Sequence, residues 1–349
     1  MQSRTRRLGD SLYDLLTAQR APVMGFAALW ILMFHEWVPI ARSHPRLFAA
    51  LGFVQRIGFC GVDFFFLLSG MGMVFSIEKN SLGRYYYKRF RRLILPFLAG
   101  GLLTAWGLKW TLPETLGALS GVRFWLEDIY TVLWFVPAIA ALYLLFPLYY
   151  RFFSRAKNQI LFTAGALAVW LVASLALANV MRTDLFGFTN RIPIFLIGVL
   201  IGWQGRQGRS IPWKRALPFC VPALALGLWL ARETNYNDLY LLVPESNCCV
   251  PNLLIALGLA PLLAWGLSFL NPLAQLLGFF GGFSLEFYCL QEIGGAWLIP
   301  KLKRHLPAPA VNLAFLLALA ACAWLLSLAG KRLWRLLEGA FRRKSEIAP

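Results

Sequence analysis

Apolar residues in this chain fall in blocks about twenty long, separated by short polar, basic or Pro/Gly-rich breaks. A helix rises about 1.5 Å per residue and the hydrocarbon core of a bilayer is about 30 Å thick, so each block is long enough to cross one. Ten such blocks are read, at 22–41, 57–77, 93–110, 131–150, 159–181, 191–203, 216–231, 251–269, 277–299 and 308–328. The sixth is short for a full crossing. Only 14% of the residues are charged, against about 25% in a soluble domain, so a water-soluble globule is excluded. The expected fold is all-α, a polytopic transmembrane bundle of about ten spans. The first apolar run holds His35 and Glu36 and is followed by further spans, so it does not read as a cleaved signal peptide. No long linker interrupts the blocks. The expected organisation is a basic N-terminal tail at 1–21, one membrane domain at 22–328 and a basic C-terminal tail at 329–349. Internal repeats are not apparent, which weakens a transporter built from inverted halves.

The net charge of +18 is distributed as a membrane topology, not as a nucleic-acid surface. Counted on alternating sides of the ten blocks, 23 of the 34 Lys and Arg fall on the side that holds both termini. The positive-inside rule then places both termini in the cytoplasm of a bacterial plasma membrane, with attraction to anionic lipid adding to the bias. The six cysteines carry little information. Cys60, Cys220, Cys289 and Cys322 lie in apolar runs, and the adjacent Cys248 and Cys249 sit in an outer loop. No Cys/His spacing fits a zinc site, so no metal is expected.

Ionisable groups inside a membrane are costly and mark functional candidates. They are His35 and Glu36 in the first block, Asp63 in the second, and Glu286 and Glu292 in the ninth. With the termini inside, His35, Asp63 and Glu292 all lie about six or seven residues from the outer ends of their helices, roughly 10 Å deep. Three such groups at one depth suggest a shared polar cavity. A histidine beside a carboxylate is a general-base arrangement: the imidazole takes a proton near neutral pH and the carboxylate steadies the imidazolium. No G-x-S-x-G surrounds Ser69 and no H-E-x-x-H is present, since Trp37, Val38 and Pro39 follow His35-Glu36. Direct attack of an acceptor hydroxyl on a bound acyl donor, with His35 as base, fits better than proteolysis.

The second feature is the run Arg84-Tyr85-Tyr86-Tyr87-Lys88-Arg89-Phe90-Arg91-Arg92, followed by Leu93-Ile94-Leu95-Pro96. On a helix Arg89 and Arg92 share a face and could grip phosphates together, as a phosphorylated cytoplasmic donor such as acyl-CoA would need. A positive-inside anchor with interfacial tyrosines uses the same residues, and composition does not separate the two readings.

Several of these segments resemble the acyltransferase-3 family of bacterial integral-membrane O-acyltransferases. Gly25-Phe26-Ala27-Ala28-Leu29-Trp30 through Phe34-His35 is similar to the family's opening R-G-I-A-A-x-x-V-x-x-F-H, and Gly58-Phe59-Cys60-Gly61-Val62-Asp63-Phe64-Phe65-Phe66-Leu67-Leu68-Ser69-Gly70 to its G-x-x-G-V-D-x-F-F-x-L-S-G, the most specific match. Arg89, Arg92 and Pro96 resemble its R-x-x-R-L-x-P-P turn, and Leu133-Trp134-Phe135 with Leu142 to Leu148 its L-W-F-L…L-Y-L-x-x-P-L helix. Gly282-Phe283-Ser284-Leu285 with Tyr288, and Leu337-Glu338 before a basic cluster, resemble its closing segments.

The resemblance implies ten spans, cytoplasmic termini and transfer of an acyl group, commonly acetyl, to a cell-surface sugar. By position His35 would be the catalytic histidine, Asp63 a site residue, and Arg89 and Arg92 the donor-binding pair. No resident cofactor is implied; acetyl-CoA or another acyl-CoA is the co-substrate and an envelope carbohydrate the acceptor. Two positions depart from the family. Its arginine eleven residues before the histidine is Met24 here, so Arg20 or another residue would have to replace it. Its late Y-L-x-H-x-P reads Tyr288-Cys289-Leu290-Gln291-Glu292, where Gln291 could still hydrogen-bond a substrate. The reading from another class is a non-enzymatic carrier or flippase of a sugar- or polyprenyl-lipid, whose path the same polar groups would line.

Trp134 fits an interfacial belt and could also stack on a sugar ring. Glu127, Asp128, Glu233 and Asp238, in the longer outer loops, could bind sugar hydroxyls or simply be solvated. Gly198 with Gly202, and Gly278 with Gly282, have the spacing that lets helices pack closely.

Overall fold

The computed structural model describes residues 11–126, 133–177, 185–242 and 246–347. Every regular element in them is helical; the β-type pairing is one isolated bridge between Ser11 and Pro212. In chain order the helices are α1 (Leu12–Ala18), α2 (Arg20–Glu36), α3 (Pro45–Arg56), α4 (Gly61–Lys79), α5 (Leu82–Gly107), α6 (Leu112–Leu119) and α7 (Val122–Leu126). They continue as α8 (Phe135–Phe153), α9 (Gln159–Leu177), α10 (Phe186–Thr189), α11 (Ile192–Arg206), α12 (Trp213–Tyr236) and α13 (Cys249–Leu267). The last three are α14 (Asn271–Gly281), α15 (Ser284–Leu302) and α16 (Ala308–Ile347).

Among the described residues seven helices are long and apolar enough to cross a membrane, or nine if each of two bent pairs is one span. The chain is a multi-pass helical membrane protein. The third sequence block corresponds to α5, whose first half carries the basic run and whose second half is apolar. The ninth block is not one straight helix. It is the bent pair α14 and α15, turned by 70° at Gly282-Phe283. The first block stops at Glu36, because Pro39 disfavours helix in the residue before it.

Apolar character all round a helix leaves it no face for water, and such helices divide between core and lipid. Helix α4 is core: Phe64, Phe66, Leu67 and Leu68 are fully buried. Helix α9 is peripheral, with Ile160, Leu161, Val169 and Val172 exposed. Close packing of α11 on α4 depends on Gly198 and Gly202, where an added Cβ would strike the backbone oxygens of Leu67 and Met71. At the bent pair the contact glycine is Gly281, one residue before Gly282, and it abuts the Ala21 carbonyl of α2 while Gly25 abuts Leu277.

Two segments read as tails are structured. From Ser11 the chain folds: Leu12 N–H donates to the Ile211 carbonyl at 2.9 Å, and Leu15 and Leu16 are buried. At the other terminus α16 runs on to Ile347. One end of the bundle gathers the starts of α2 and α5 with the ends of α4, α8 and α11. There Arg206 pairs with Glu78 at 2.8 Å and Tyr150 donates to Glu78 at 2.5 Å. The opposite end gathers the end of α2 with the starts of α4, α8, α11 and α13.

Candidate functional site

His35 stands in the last turn of α2, which carries it to the far end from the basic run. Its Nδ1 lies 2.9 Å from Oε1 of Glu292, in the middle of α15. Both side chains keep about a fifth of their surface open (20% and 18%), so the pair is reachable by a substrate. Glu36 is beside it. Its carboxylate rests against Gly295, one turn beyond Glu292, in space that any side chain at Gly295 would fill. The segment after α2 is fixed by Asn312 of α16, which accepts from Val38 N–H and donates to the Val38 carbonyl, each at 2.9 Å.

Asp63 is brought to the same end but into other company. It sits in the first turn of α4, almost wholly buried, 3.6 Å from Nε of Arg191 and accepting from Asn252 at 3.2 Å. Arg191 in turn lies over the Trp134 ring, 5.4 Å from its centroid. Among the described residues no hydrogen bond or ion pair joins His35 to Asp63. The carboxylate at the histidine is Glu292, and Trp134 faces a guanidinium. Gln291, next to Glu292, is buried, and its Oε1 has no hydrogen-bond partner.

The basic run opens a second region. Arg89 and Arg92 line a narrow cavity of about 60 Å³ together with Arg20, Met24, Ser69 and Tyr288. Arg89 donates to the Gly72 carbonyl at 2.9 Å and lies over the Tyr143 ring at 5.5 Å. Arg20 reaches the Leu68 carbonyl, one turn away on the same face of α4. Thus Arg20, one turn before Met24 on α2, brings a guanidinium to the cavity that Met24 also lines. Two polar atoms there have no hydrogen-bond partner among the described residues: Nε of Arg89 and Oγ of the fully buried Ser284. A buried polar atom left unpaired costs about 1–3 kcal/mol, so such atoms suit a ligand that pairs with them.

The two regions lie along the same helices. Tyr288, on the cavity wall, is four residues from Glu292 on α15, about 6 Å of helix rise. The arrangement therefore sets a cluster of guanidinium groups around a small cavity at one end and a histidine–carboxylate pair further along the same helices. The sequence reasoning missed Arg191 and Asn252 as the partners of Asp63. Arg191 begins a helix whose preceding segment gave no signal, and Asn252 lies in an uninterrupted apolar run.

Glu233, read from the sequence as a loop residue, lies instead in the last turn of α12, where it accepts from Asn237 at 2.5 Å. Asp238 adopts a left-handed φ of 51°, and Glu127 and Asp128 lie outside the described residues. Cys248 and Cys249 are free thiols, and Cys249 donates to the Asn190 carbonyl.

Compared with known families, residues 25–328 match a family model described as an acyltransferase domain. No curated protein and no solved structure matches the chain.

Proposed function

The chain belongs to the acyltransferase-3 family, and from that premise we propose that it moves an acyl group, acetyl in the simplest case, from acyl-CoA to a hydroxyl of a cell-envelope sugar. In this reading both termini and the basic run face the cytoplasm, and His35 faces the outer side of a bacterial plasma membrane.

The observation that carries the proposal is the 2.9 Å contact between Nδ1 of His35 and Glu292. A carboxylate at Nδ1 holds the proton on that nitrogen and leaves the lone pair on Nε2. Nε2 takes the proton from the acceptor hydroxyl as its oxygen attacks the thioester carbonyl. The tetrahedral intermediate then collapses, the C–S bond breaks, and the thiolate leaves with the proton returned by the imidazolium, giving an ester and free CoA. Glu292 stabilises the transient imidazolium by charge, and the Glu36 carboxyl group lies nearby.

Arg89, Arg92 and Arg20 hold the donor phosphates as charge-assisted ligands. The narrow passage past Met24, Ser69 and Ser284 takes the pantetheine arm, whose amides suit the unpartnered Ser284 hydroxyl. Gln291 and Trp134 are assigned to the acceptor side. Asp63 acts through Arg191, which it holds against Trp134, as a positioning residue.

The test is release of free CoA from acetyl-CoA by purified, reconstituted protein, with crude envelope as acceptor source. We expect turnover in the wild type and its loss in His35→Ala. A wild type that neither binds nor turns over any acyl-CoA would overturn the reading in favour of a lipid carrier.

A further inference from the structure

The last helix is longer than a membrane needs. Its apolar stretch ends near Ala329, after about twenty residues and 30 Å of rise, yet α16 continues to Ile347. The continuation lies beyond residue 328, where the family match stops. It is anchored against the basic run of α5. Glu338 pairs with Arg91 and accepts from Tyr87 at 3.0 Å, and Trp334 stands edge-on to Tyr87 with ring centroids 6.1 Å apart. Between α5, the α14–α15 bend and this continuation lies a chamber of about 610 Å³.

The chamber is strongly basic. Lys88, Arg91, Arg92, Lys331 and Arg335 line it, against Glu286 and Glu338. Glu338 is already engaged by Arg91, so four cations and one carboxylate remain to face a ligand. Lys88 and Arg92 also line the narrow cavity of about 60 Å³ described above, so the two spaces adjoin at these side chains. A wide basic chamber adjoining a narrow cavity matches a ligand with a bulky, multiply phosphorylated head and a slender tail. A small acyl phosphate has no such head.

We propose that the chamber formed by the α16 continuation is the nucleotide subsite of the acyl donor, with Lys331 and Arg335 binding the ribose 3′-phosphate and Trp334 flanking the base. This rests on the reading of acyl-CoA as donor. Arg89 and Arg20 remain with the pyrophosphate, deeper in the narrow cavity, and Arg92 and Lys88 stand between the two phosphate groups. Arg335 is oriented by its own helix, donating to the Lys331 carbonyl at 3.3 Å.

The experiment compares CoA with 3′-dephospho-CoA as ligands of the full chain in lipid nanodiscs. The wild type should bind CoA about tenfold more tightly, the worth of a charge-assisted phosphate contact. Lys331→Gln with Arg335→Gln, both on the exposed face of α16, should bring CoA down to the affinity of dephospho-CoA while leaving dephospho-CoA within about twofold. Arg89→Gln should weaken both ligands alike, and unchanged thermal melting of the double variant shows that it is folded. Equal binding of CoA and dephospho-CoA by the wild type would overturn the subsite and leave the donor reading intact. Binding of neither would overturn both. A double variant that keeps its CoA preference, but loses a dependence on phosphatidylglycerol in the nanodisc, would make the chamber a lipid-headgroup site and overturn the proposal.

Discussion

Asp63 and Glu292 are carboxylates at the same end of the bundle, and their partners give them different work. Glu292 keeps about a fifth of its surface open and touches His35, whereas Asp63 is closed in with Arg191 and Asn252. Removing one partner of a buried ion pair leaves an uncompensated charge and costs about 3–5 kcal/mol. Asp63→Ala should therefore lower the melting temperature of the solubilised protein and its yield, and Arg191→Ala should do the same. A melting temperature unchanged in Asp63→Ala, with turnover abolished, would instead put Asp63 at the reacting atoms. Glu292→Gln should leave melting and donor affinity near wild type and lower kcat. The loss should approach, without exceeding, the 10²–10⁴-fold or so that a general base supplies. Equal kcat in Glu292→Gln and wild type would show that the contact does not orient the imidazole. The costly residues themselves are visible in the sequence as charges in apolar blocks. Their pairing is not, since it depends on how α15 rotates against α2 and where α11 begins.

At the scale of elements, the block pattern announces nearly all the long helices, because length and apolarity are the only demands a bilayer makes. Bends escape it. Apolar residues on both sides of Gly281-Gly282 read as one span, whereas the chain turns there, beside the contact of Gly281 with α2. Glycine spacing does better where two helices run side by side. Gly198→Leu or Gly202→Leu should separate α11 from α4, lower melting temperature and abolish folding when combined, whereas Gly165→Leu, which meets nothing, should change little. Comparable melting of all three would refute the close contact. Outside the spans, α6 starts with a reciprocal cap in which Thr111 N–H donates to Glu114 at 2.7 Å and Thr111 Oγ1 accepts from Glu114 N–H. Those donors hold the Glu114 carboxyl below the usual carboxylate range. A depressed folded value means that the contribution is present above the unfolded value and lost as pH falls through the folded one. Protection factors of the amides in 112–119, corrected for the intrinsic pH dependence of exchange, should accordingly fall on acidification, and Glu114→Gln should remove that fall.

For the molecule as a whole the decisive quantity is the separation between phosphate grip and base. From Arg20 to His35 along α2 is fifteen residues, about 22 Å of rise, and the narrow cavity reaches Met24 on α2 and Tyr288 on α15. An acyl group delivered at the tip of a slender arm thus needs to travel only about one further turn, from the level of Tyr288 to that of Glu292. If the proposed function holds, donor and acceptor approach from opposite faces without either crossing the bilayer, whereas a carrier must alternate its access. Proteoliposomes with a single protein orientation test this directly. Acetyl-CoA supplied to the face bearing the basic run should support CoA release, and acetyl-CoA supplied to the other face should not. Envelope carbohydrate should stimulate release only from the face nearer His35. Release that is indifferent to the side of the donor would mean that the passage does not set the direction of the reaction. Acetyl-CoA carried intact into the lumen would return the protein to the transport class.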